Sequence, residues 1–246
     1  KLVHMTYTND STYDDEWEFR DINYAFAKID CLYDSAYSNR FPNVVSRINS
    51  YSERLHEIYK NRFGIYVIAE SPNNFSSYCS SNCNVNYNSI CSHGTDNQCT
   101  NDGVLHHTNI YSILYKMQRP DISYTLRVAF IGQKNCYKED DGTHVIDPFY
   151  GLANSNYGVA TITNYSSSGS ELKTFFHEFG HFYNIPDHYG GSVRTTYEIN
   201  RDYPGYNFSE WWIYGENKDD STVINDLTIC EGCMKFVLAN RNKYNH

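Results

Sequence analysis

Apolar residues recur along the chain with two different spacings, which predict an alternation of helices and strands. Between Val44 and Arg62 they lie three and four residues apart, as on the buried face of a helix, and Gly64 is placed to end that helix. Shorter apolar runs predict strands at Ile65–Ala69 and Leu126–Ile131. The same criteria predict these further elements: strands at Lys1–Thr8 and Val159–Thr163, and helices at Glu16–Ile29, Leu172–Tyr183 and Met234–Asn240.

Residues 71–103 interrupt this pattern, since they are rich in Asn, Ser and Cys and poor in aliphatic side chains. A loop of this length without secondary structure is uncommon inside a compact domain, so we interpret it as a cysteine-rich insertion held by disulfides. The remaining elements predict an α+β, or mixed α/β, fold. Residues 1–184 would form an N-terminal subdomain of twisted sheet and helices, and residues 185–246 a small irregular C-terminal subdomain.

Charge and composition exclude two classes of protein. Lys and Arg total 20 against 29 Asp and Glu, a net charge of −9, whereas a nucleic-acid-binding protein needs a basic face. No apolar run approaches the roughly 18 residues of a membrane helix, so no membrane span is expected. A surface rich in Asn, Ser and Tyr, with few charges, favours a secreted, extracellular protein. We expect it to be a monomer.

The cysteine content predicts the redox state of the chain. Eight cysteines, an even number, favour four disulfides formed in an oxidising compartment. The alternative is a structural zinc cluster, because Cys230 and Cys233 have the spacing of a zinc knuckle. No second pair with that spacing accompanies them, so disulfides are the preferred interpretation.

One short motif has a clear chemical meaning. His177-Glu178-Phe179-Gly180-His181 is an H-E-x-x-H sequence inside a predicted helix. Residues i and i+4 lie one above the other on a helix, so the two imidazoles can bind one zinc ion, and Glu178 can reach a water on that ion. The helix is strongly apolar around both histidines. Buried imidazoles need polar partners, and a shared metal ion would provide one.

A catalytic zinc ion usually has three protein ligands and one water, so a third ligand is needed. Asp187 and His188 follow His181 by six and seven residues. Pro186 prevents the helix from continuing, and Asn184 tolerates the left-handed conformation that ends helices. The chain can therefore turn and bring Asp187 beneath the metal. His188 remains the alternative third ligand, since either side chain can bind zinc.

The stretch from His177 to Asp187 resembles the metzincin signature H-E-x-x-H-x-x-G-x-x-H/D, with Asn184 in the glycine position. The aspartate in the last position is most similar to the snapalysin-like enzymes. This resemblance implies a zinc-dependent endopeptidase of the metzincin fold. Its zinc ligands would be His177, His181 and Asp187, and Glu178 would be the general base that activates a zinc-bound water.

Other segments are similar to adamalysin-type metzincins, although the likeness is strong only at residues 174–190. Gly151, Leu152 and Ala153 resemble the start of the edge strand that binds substrate, and Met234 resembles the methionine of the Met-turn below the zinc. The resemblance thus implies a protein or peptide substrate bound in extended form along that edge. Cleavage specificity would lie in a pocket lined around Met234–Leu238.

Three other interpretations stay open. The acidic run Glu139-Asp140-Asp141 makes a calcium site conceivable, but it lacks the EF-hand spacing. The chain could instead be a zinc hydrolase acting on a narrow, non-protein amide. It could also be a disulfide-rich, toxin-like binding module with an inactive zinc site, although the complete set of His177, Glu178 and His181 argues against decay.

Overall fold

A computed structural model of the protein describes residues 24–74, 104–106, 125–132, 134–138, 144–147, 151–163, 168–187, 196–206 and 230–244. Within these ranges the chain forms strands and helices in a mixed α/β arrangement. In chain order they are β1 (Ala25–Tyr33), α1 (Ser35–Arg40), α2 (Val44–Phe63), β2 (Ile65–Ala69), β3 (Asn73–Asn74), β4 (Val104–His106), β5 (Thr125–Phe130), β6 (Lys134–Lys138), β7 (His144–Asp147), β8 (Gly151–Asn154), β9 (Val159–Ile162), α3 (Ser168–Phe182), α4 (Thr196–Asp202) and α5 (Glu231–Ala239).

The main sheet is mostly parallel, with the strand order β2–β1–β5–β9–β8. Strand β8 is antiparallel to β9, with Gly151 opposite Ile162, and β3 adds a short parallel pairing to the end of β1. A second, three-stranded sheet has the order β4–β6–β7. These sheets and helices confirm the predicted mixed fold. None of the helices in the described ranges is both long and apolar enough to cross a membrane.

Most predicted elements that lie in the described ranges are present within a few residues of their expected bounds. Helix α2 ends at Gly64, whose φ of 64° is the left-handed conformation that favours glycine at a helix end. Strands β2, β5 and β9 and helices α3 and α5 also confirm the sequence analysis. The predicted strand Lys1–Thr8, most of the insertion at 71–103 and the acidic run at 139–141 lie outside the described residues.

The predicted helix Glu16–Ile29 is wrong over its last residues, which begin strand β1. This strand lies between β2 and β5, and its side chains alternate between the core face and the opposite face. Ala27 is buried, whereas its neighbours Phe26 and Lys28 are exposed. The large apolar side chain of Phe26 on the exposed face hides the two-residue period in the sequence.

The core lies between the main sheet and helices α2 and α3. Aromatic side chains fill it: the rings of Tyr59 and Phe179 meet edge to face at 4.8 Å, and Phe130 and Phe175 lie 5.5 Å apart. Such offset and edge-to-face contacts stabilise a core beyond the apolar area that they bury. Helix α3 therefore packs against both the sheet and α2.

A buried ion pair joins α2 to the first turn of α3. Glu171 is fully buried, and its Oε2 accepts from the Arg47 guanidinium at 2.8 Å and from the Tyr51 hydroxyl at 2.8 Å. A carboxylate taken out of water is tolerated because it is paired and hydrogen-bonded. These contacts attach the beginning of α3 to its neighbouring helix.

The prediction of four disulfides is wrong for the cysteines that the structure describes. Cys31 is a buried thiol whose Sγ lies 3.6 Å from the Ser52 Oγ, and burial raises its pKa to about 12. Cys230 and Cys233 are also buried thiols, and they contact each other at the start of α5. Cys31 faces the core from the inner strand β1, so it packs as a small apolar side chain.

Removing the Arg47 charge should destabilise the fold because it leaves the Glu171 carboxylate buried without its cation. We expect Arg47→Met to lower the free energy of unfolding by about 3 kcal/mol. Arg54→Met on the same helix is the matched control. It breaks the pair with Glu57, which is largely solvent-exposed and worth less than about 1 kcal/mol. Urea unfolding of both variants checks this, and equal losses would contradict it.

Candidate metal centre

Helix α3 presents two histidines beside a large apolar face. Phe175, Phe179 and Phe182 are fully buried and fix the orientation of the helix against the core. His177 and His181 are partly exposed, and their rings meet edge to face with centroids 4.7 Å apart. Their Nε2 atoms lie 3.0 Å apart. The helix thus aims the same nitrogen of both imidazoles at one point, as the four-residue spacing predicts.

The end of α3 turns the chain back toward these histidines. Asn184 has a φ of 64°, which confirms the left-handed conformation expected from the sequence. The Ile185 N–H donates to the Gly180 carbonyl at 3.4 Å, and the Asn184 N–H donates to the His181 carbonyl at 2.9 Å. These two bonds form a Schellman motif, which ends a helix and reverses the chain direction.

This reversal brings Asp187 onto the two histidines. Its Oδ1 lies 3.1 Å from the His177 Nε2 and 3.3 Å from the His181 Nε2. Within the described residues, these three are the group whose ligand atoms lie close enough together to hold a metal ion. The structure therefore brings together the three predicted ligands. The alternative ligand His188 lies just beyond the described residues.

The dimensions of this triangle fit a zinc ion. Ligands about 2.0–2.1 Å from zinc in tetrahedral geometry lie about 3.3–3.4 Å from one another. The three separations of 3.0, 3.1 and 3.3 Å are close to these values. The Asp187 Oδ1 is also buried without a well-aligned hydrogen bond, so it keeps electron pairs for a cation. Two imidazoles and one carboxylate are a donor set that zinc prefers.

A backbone carbonyl orients the second histidine. The His181 Nδ1 lies 2.6 Å from the Ile185 carbonyl oxygen. Because a carbonyl can only accept, Nδ1 carries the proton, and the Nε2 of the neutral ring is left with its lone pair toward the site. Metal-binding histidines are commonly oriented by such a bond. The turn that places Asp187 therefore also sets the tautomer of His181.

In the metal-free protein, the Asp187 carboxylate and the His181 imidazole shift each other's pKa toward their charged forms. Burial alone would lower the pKa of His181, but Asp187 and Glu178 raise it to about 9. Burial alone would raise the pKa of Asp187, but the two imidazoles hold it well below its usual range. The site thus attracts positive charge. A bound metal ion would displace the proton that otherwise supplies this charge.

Glu178 follows His177 directly in helix α3, and only 5% of its surface is exposed to solvent. Burial is the main reason that its pKa is raised, to about 8; His181 opposes the shift, and Asp187 adds to it. Gly151 on strand β8 packs directly against this side chain. A Cβ built on Gly151 would lie 2.5 Å from the Glu178 Cγ and 2.7 Å from its Cδ. The carboxylate therefore has room only because residue 151 is a glycine.

Strand β8 forms the rim of the main sheet beside the site. Gly151, Leu152 and Ala153 are partly buried, and their strand packs against both β9 and α3. Within the described part of the chain, β8 has a strand partner on one side only. Gly151 places this strand beside Glu178. Its location agrees with the predicted edge strand, while its role in binding substrate stays a prediction.

The C-terminal residues lie partly where the sequence places them. Met234 is in the first turn of helix α5 and is partly buried against the core. Its function as a floor below the metal, and the specificity pocket around Met234–Leu238, stay predictions. Sequence analysis missed Lys243 and Tyr244, which both donate hydrogen bonds to the carbonyl of Phe182 at the end of α3. No sequence motif links them to that carbonyl.

Comparison with known proteins gives matches among solved structures only, where 58 chains match. The chain matches no protein-family model, and no curated protein sequence matches it either. Among solved structures it is similar to a chain of a chaperone–substrate complex, with a TM-score of 0.46 and 10% identity over 92% of this chain. It is also similar to a zinc-dependent peptidase from Methanocorpusculum labreanum, with a TM-score of 0.36 and 15% identity over 70% of this chain and 92% of the other. The chain spans 36% of the length of the first of these structures.

Removing the carboxylate of Asp187 should abolish tight zinc binding. We expect Asp187→Ala to weaken the affinity for zinc at least about 100-fold because one of three ligands is lost. The neighbouring variant His188→Ala should bind zinc as the wild type does. Competition with a coloured chelator measures both affinities. Full zinc retention by Asp187→Ala, with loss in His188→Ala, would assign the ligand to His188 instead.

Proposed function

We propose that the protein is a zinc-dependent endopeptidase of the metzincin type. The observation that carries this proposal is the convergence of two imidazole nitrogens and one carboxylate oxygen beside the buried carboxylate of Glu178. Three ligands leave the fourth position of a tetrahedral zinc ion open for water, as in catalytic zinc sites. The sequence resemblance to metzincins over residues 174–190 points to the same class.

The chemistry divides between the metal and Glu178. When bound, zinc would lower the pKa of water and polarise a peptide carbonyl. Glu178 follows the ligand His177 directly in the sequence, and its carboxylate packs against the rim strand. As general base it accepts a proton from the attacking water, and it then donates that proton to the leaving amine. His177, His181 and Asp187 hold the metal and take no part in proton transfer.

The substrate is a polypeptide bound in extended form along the outer edge of β8. An unpaired strand edge presents N–H and C=O groups that a peptide can match, so the main chain of the substrate would add one strand to the sheet. Because Gly151 on β8 contacts the Glu178 side chain, such a peptide would pass close to the general base. Recognition through the main chain favours proteins and peptides over a small non-protein amide.

The remaining parts of the proposal rest on the sequence. The polar, lightly charged composition favours secretion, and the monomeric state stays an expectation. The buried thiols of Cys31, Cys230 and Cys233 give no support to an extensive disulfide network. A calcium ion has no support among the described residues, where the one candidate metal group is the His-His-Asp triad.

Glu178→Gln tests the role of the general base. We expect it to lower kcat/KM on an unfolded protein such as casein by about 100- to 10,000-fold, because the amide cannot accept the proton. Zinc affinity should stay within twofold of the wild type, since Glu178 is not a ligand. Glu53→Gln, at an exposed position of α2, is the control and should cleave normally. Wild-type protein that binds zinc but cleaves nothing in a broad peptide library would favour the binding-module alternative.

Gly151→Ala tests the contact between the rim strand and the general base. The added methyl group would displace the Glu178 carboxylate, and a shift of about 1 Å in a catalytic group can cost about 100-fold in rate. We therefore expect kcat to fall about 100-fold while zinc affinity stays near the wild-type value, with a loss of stability of about 1–3 kcal/mol from overpacking. Steady-state kinetics with the zinc-loaded variant measure this. Unchanged kcat would mean that the carboxylate does not act from its position beside Gly151.

A further inference from the structure

Three residues from the C-terminal end of the chain bind the turn that follows helix α3. Lys243 Nζ donates to the Phe182 carbonyl at 2.9 Å and to the Asn184 Oδ1 at 2.8 Å. The Tyr244 hydroxyl donates to the same Phe182 carbonyl at 2.8 Å, and the Asn184 Nδ2 donates to the Asn240 Oδ1 at 2.9 Å. We call Asn240, Lys243 and Tyr244 the C-terminal clamp.

The clamp contacts two groups at the end of α3: the carbonyl of Phe182 and the side chain of Asn184. Phe182 is the last residue of α3, and the last carbonyls of a helix have no intrahelical donor. The positive charge of Lys243 also lies at the negative end of the helix dipole, where cations are favourable. The second group is the Asn184 side chain, whose oxygen and nitrogen are both bound.

Asn184 is the residue on which the position of Asp187 depends. Its left-handed backbone reverses the chain, so the Ile185 carbonyl reaches the His181 Nδ1, and Asp187 reaches both Nε2 atoms two residues later. Pro186 restricts the backbone between them. Any rotation of the turn would therefore move the Asp187 carboxylate and the Ile185 carbonyl together.

We propose that the C-terminal clamp is a positioning device for the third metal ligand. It acts through Asn184, and its residues are neither ligands nor catalytic groups. Glycine would adopt the left-handed conformation at lower cost, but it has no side chain for Lys243 and Asn240 to bind. Asparagine at this position therefore costs some backbone strain, but its side chain allows the clamp to hold the turn in one conformation. The inference rests on the metal site of the proposed function and is independent of peptide cleavage.

Asn184→Gly separates positioning from folding. The variant removes both side-chain contacts to the clamp while it relieves the left-handed strain, so we expect the metal-free protein to melt at or above the wild-type temperature. Its zinc affinity should nevertheless fall about 10-fold, the size of effect seen when groups that orient metal ligands are removed. Lys243→Met should weaken zinc binding to a similar extent.

Lys235→Met is the matched control for Lys243→Met. Lys235 also donates to a backbone carbonyl, that of Gly205, and pairs with Glu231, but neither contact reaches the turn after α3. Its zinc affinity should equal that of the wild type. Zinc affinity is measured by chelator competition, and the visible spectrum of the cobalt form reports whether the ligand geometry changes.

Each outcome gives a distinct answer. Weaker zinc binding in Asn184→Gly and Lys243→Met, with a stable fold and a normal control, supports the inference. Wild-type affinity in a folded Asn184→Gly overturns it, whatever the stability of Lys243→Met. Wild-type protein that binds zinc but cleaves no peptide contradicts the proposed function alone, because the affinity comparison needs no substrate. Wild-type protein that binds no zinc contradicts both.

Discussion

The left-handed turn at Asn184 is the constraint on which the proposed metal centre depends. A helix alone can align His177 and His181, but a third ligand from the same segment requires the chain to reverse within a few residues. The Schellman bonds to Gly180 and His181 provide that reversal. They also place the Ile185 carbonyl on the His181 ring, so one local structure fixes the third ligand and the tautomer of the second.

The rest of the fold keeps this segment in place. Helix α3 packs against the sheet and against α2, and Glu171 attaches its beginning to Arg47 and Tyr51. Strand β8 covers the other side of the site, where Gly151 leaves room for the Glu178 carboxylate. Burial raises the pKa of Glu178, the proposed general base, in the metal-free protein. The packing that stabilises the core therefore also fixes the position of the Glu178 carboxylate.

Sequence reasoning could predict the parts of the site that depend on local structure. The four-residue spacing of His177 and His181, the left-handed Asn184 and the return of Asp187 all follow from helix geometry and helix endings. Strands with a continuous apolar pattern, such as β5, could also be predicted. Strand β1 could not be predicted, because Phe26 on its exposed face masks the alternation of buried and exposed residues.

Contacts between distant segments could not be predicted in this way. The packing of Gly151 against Glu178 joins residues on different elements, and the hydrogen bonds of Lys243 and Tyr244 to Phe182 span about 60 positions of the chain. The cysteine count was also a poor guide, because an even number is compatible with buried thiols such as Cys31. Such features depend on the tertiary arrangement rather than on spacing.

Anomalous diffraction from crystals grown with zinc, recorded on both sides of the zinc absorption edge, would show whether His177, His181 and Asp187 bind one metal ion. We expect one strong peak about 2.0–2.2 Å from the Nε2 atoms of His177 and His181 and from the Asp187 carboxylate, with the fourth position open to solvent. The absence of a peak at this position in zinc-saturated crystals, or imidazoles that face away from each other, would contradict this expectation.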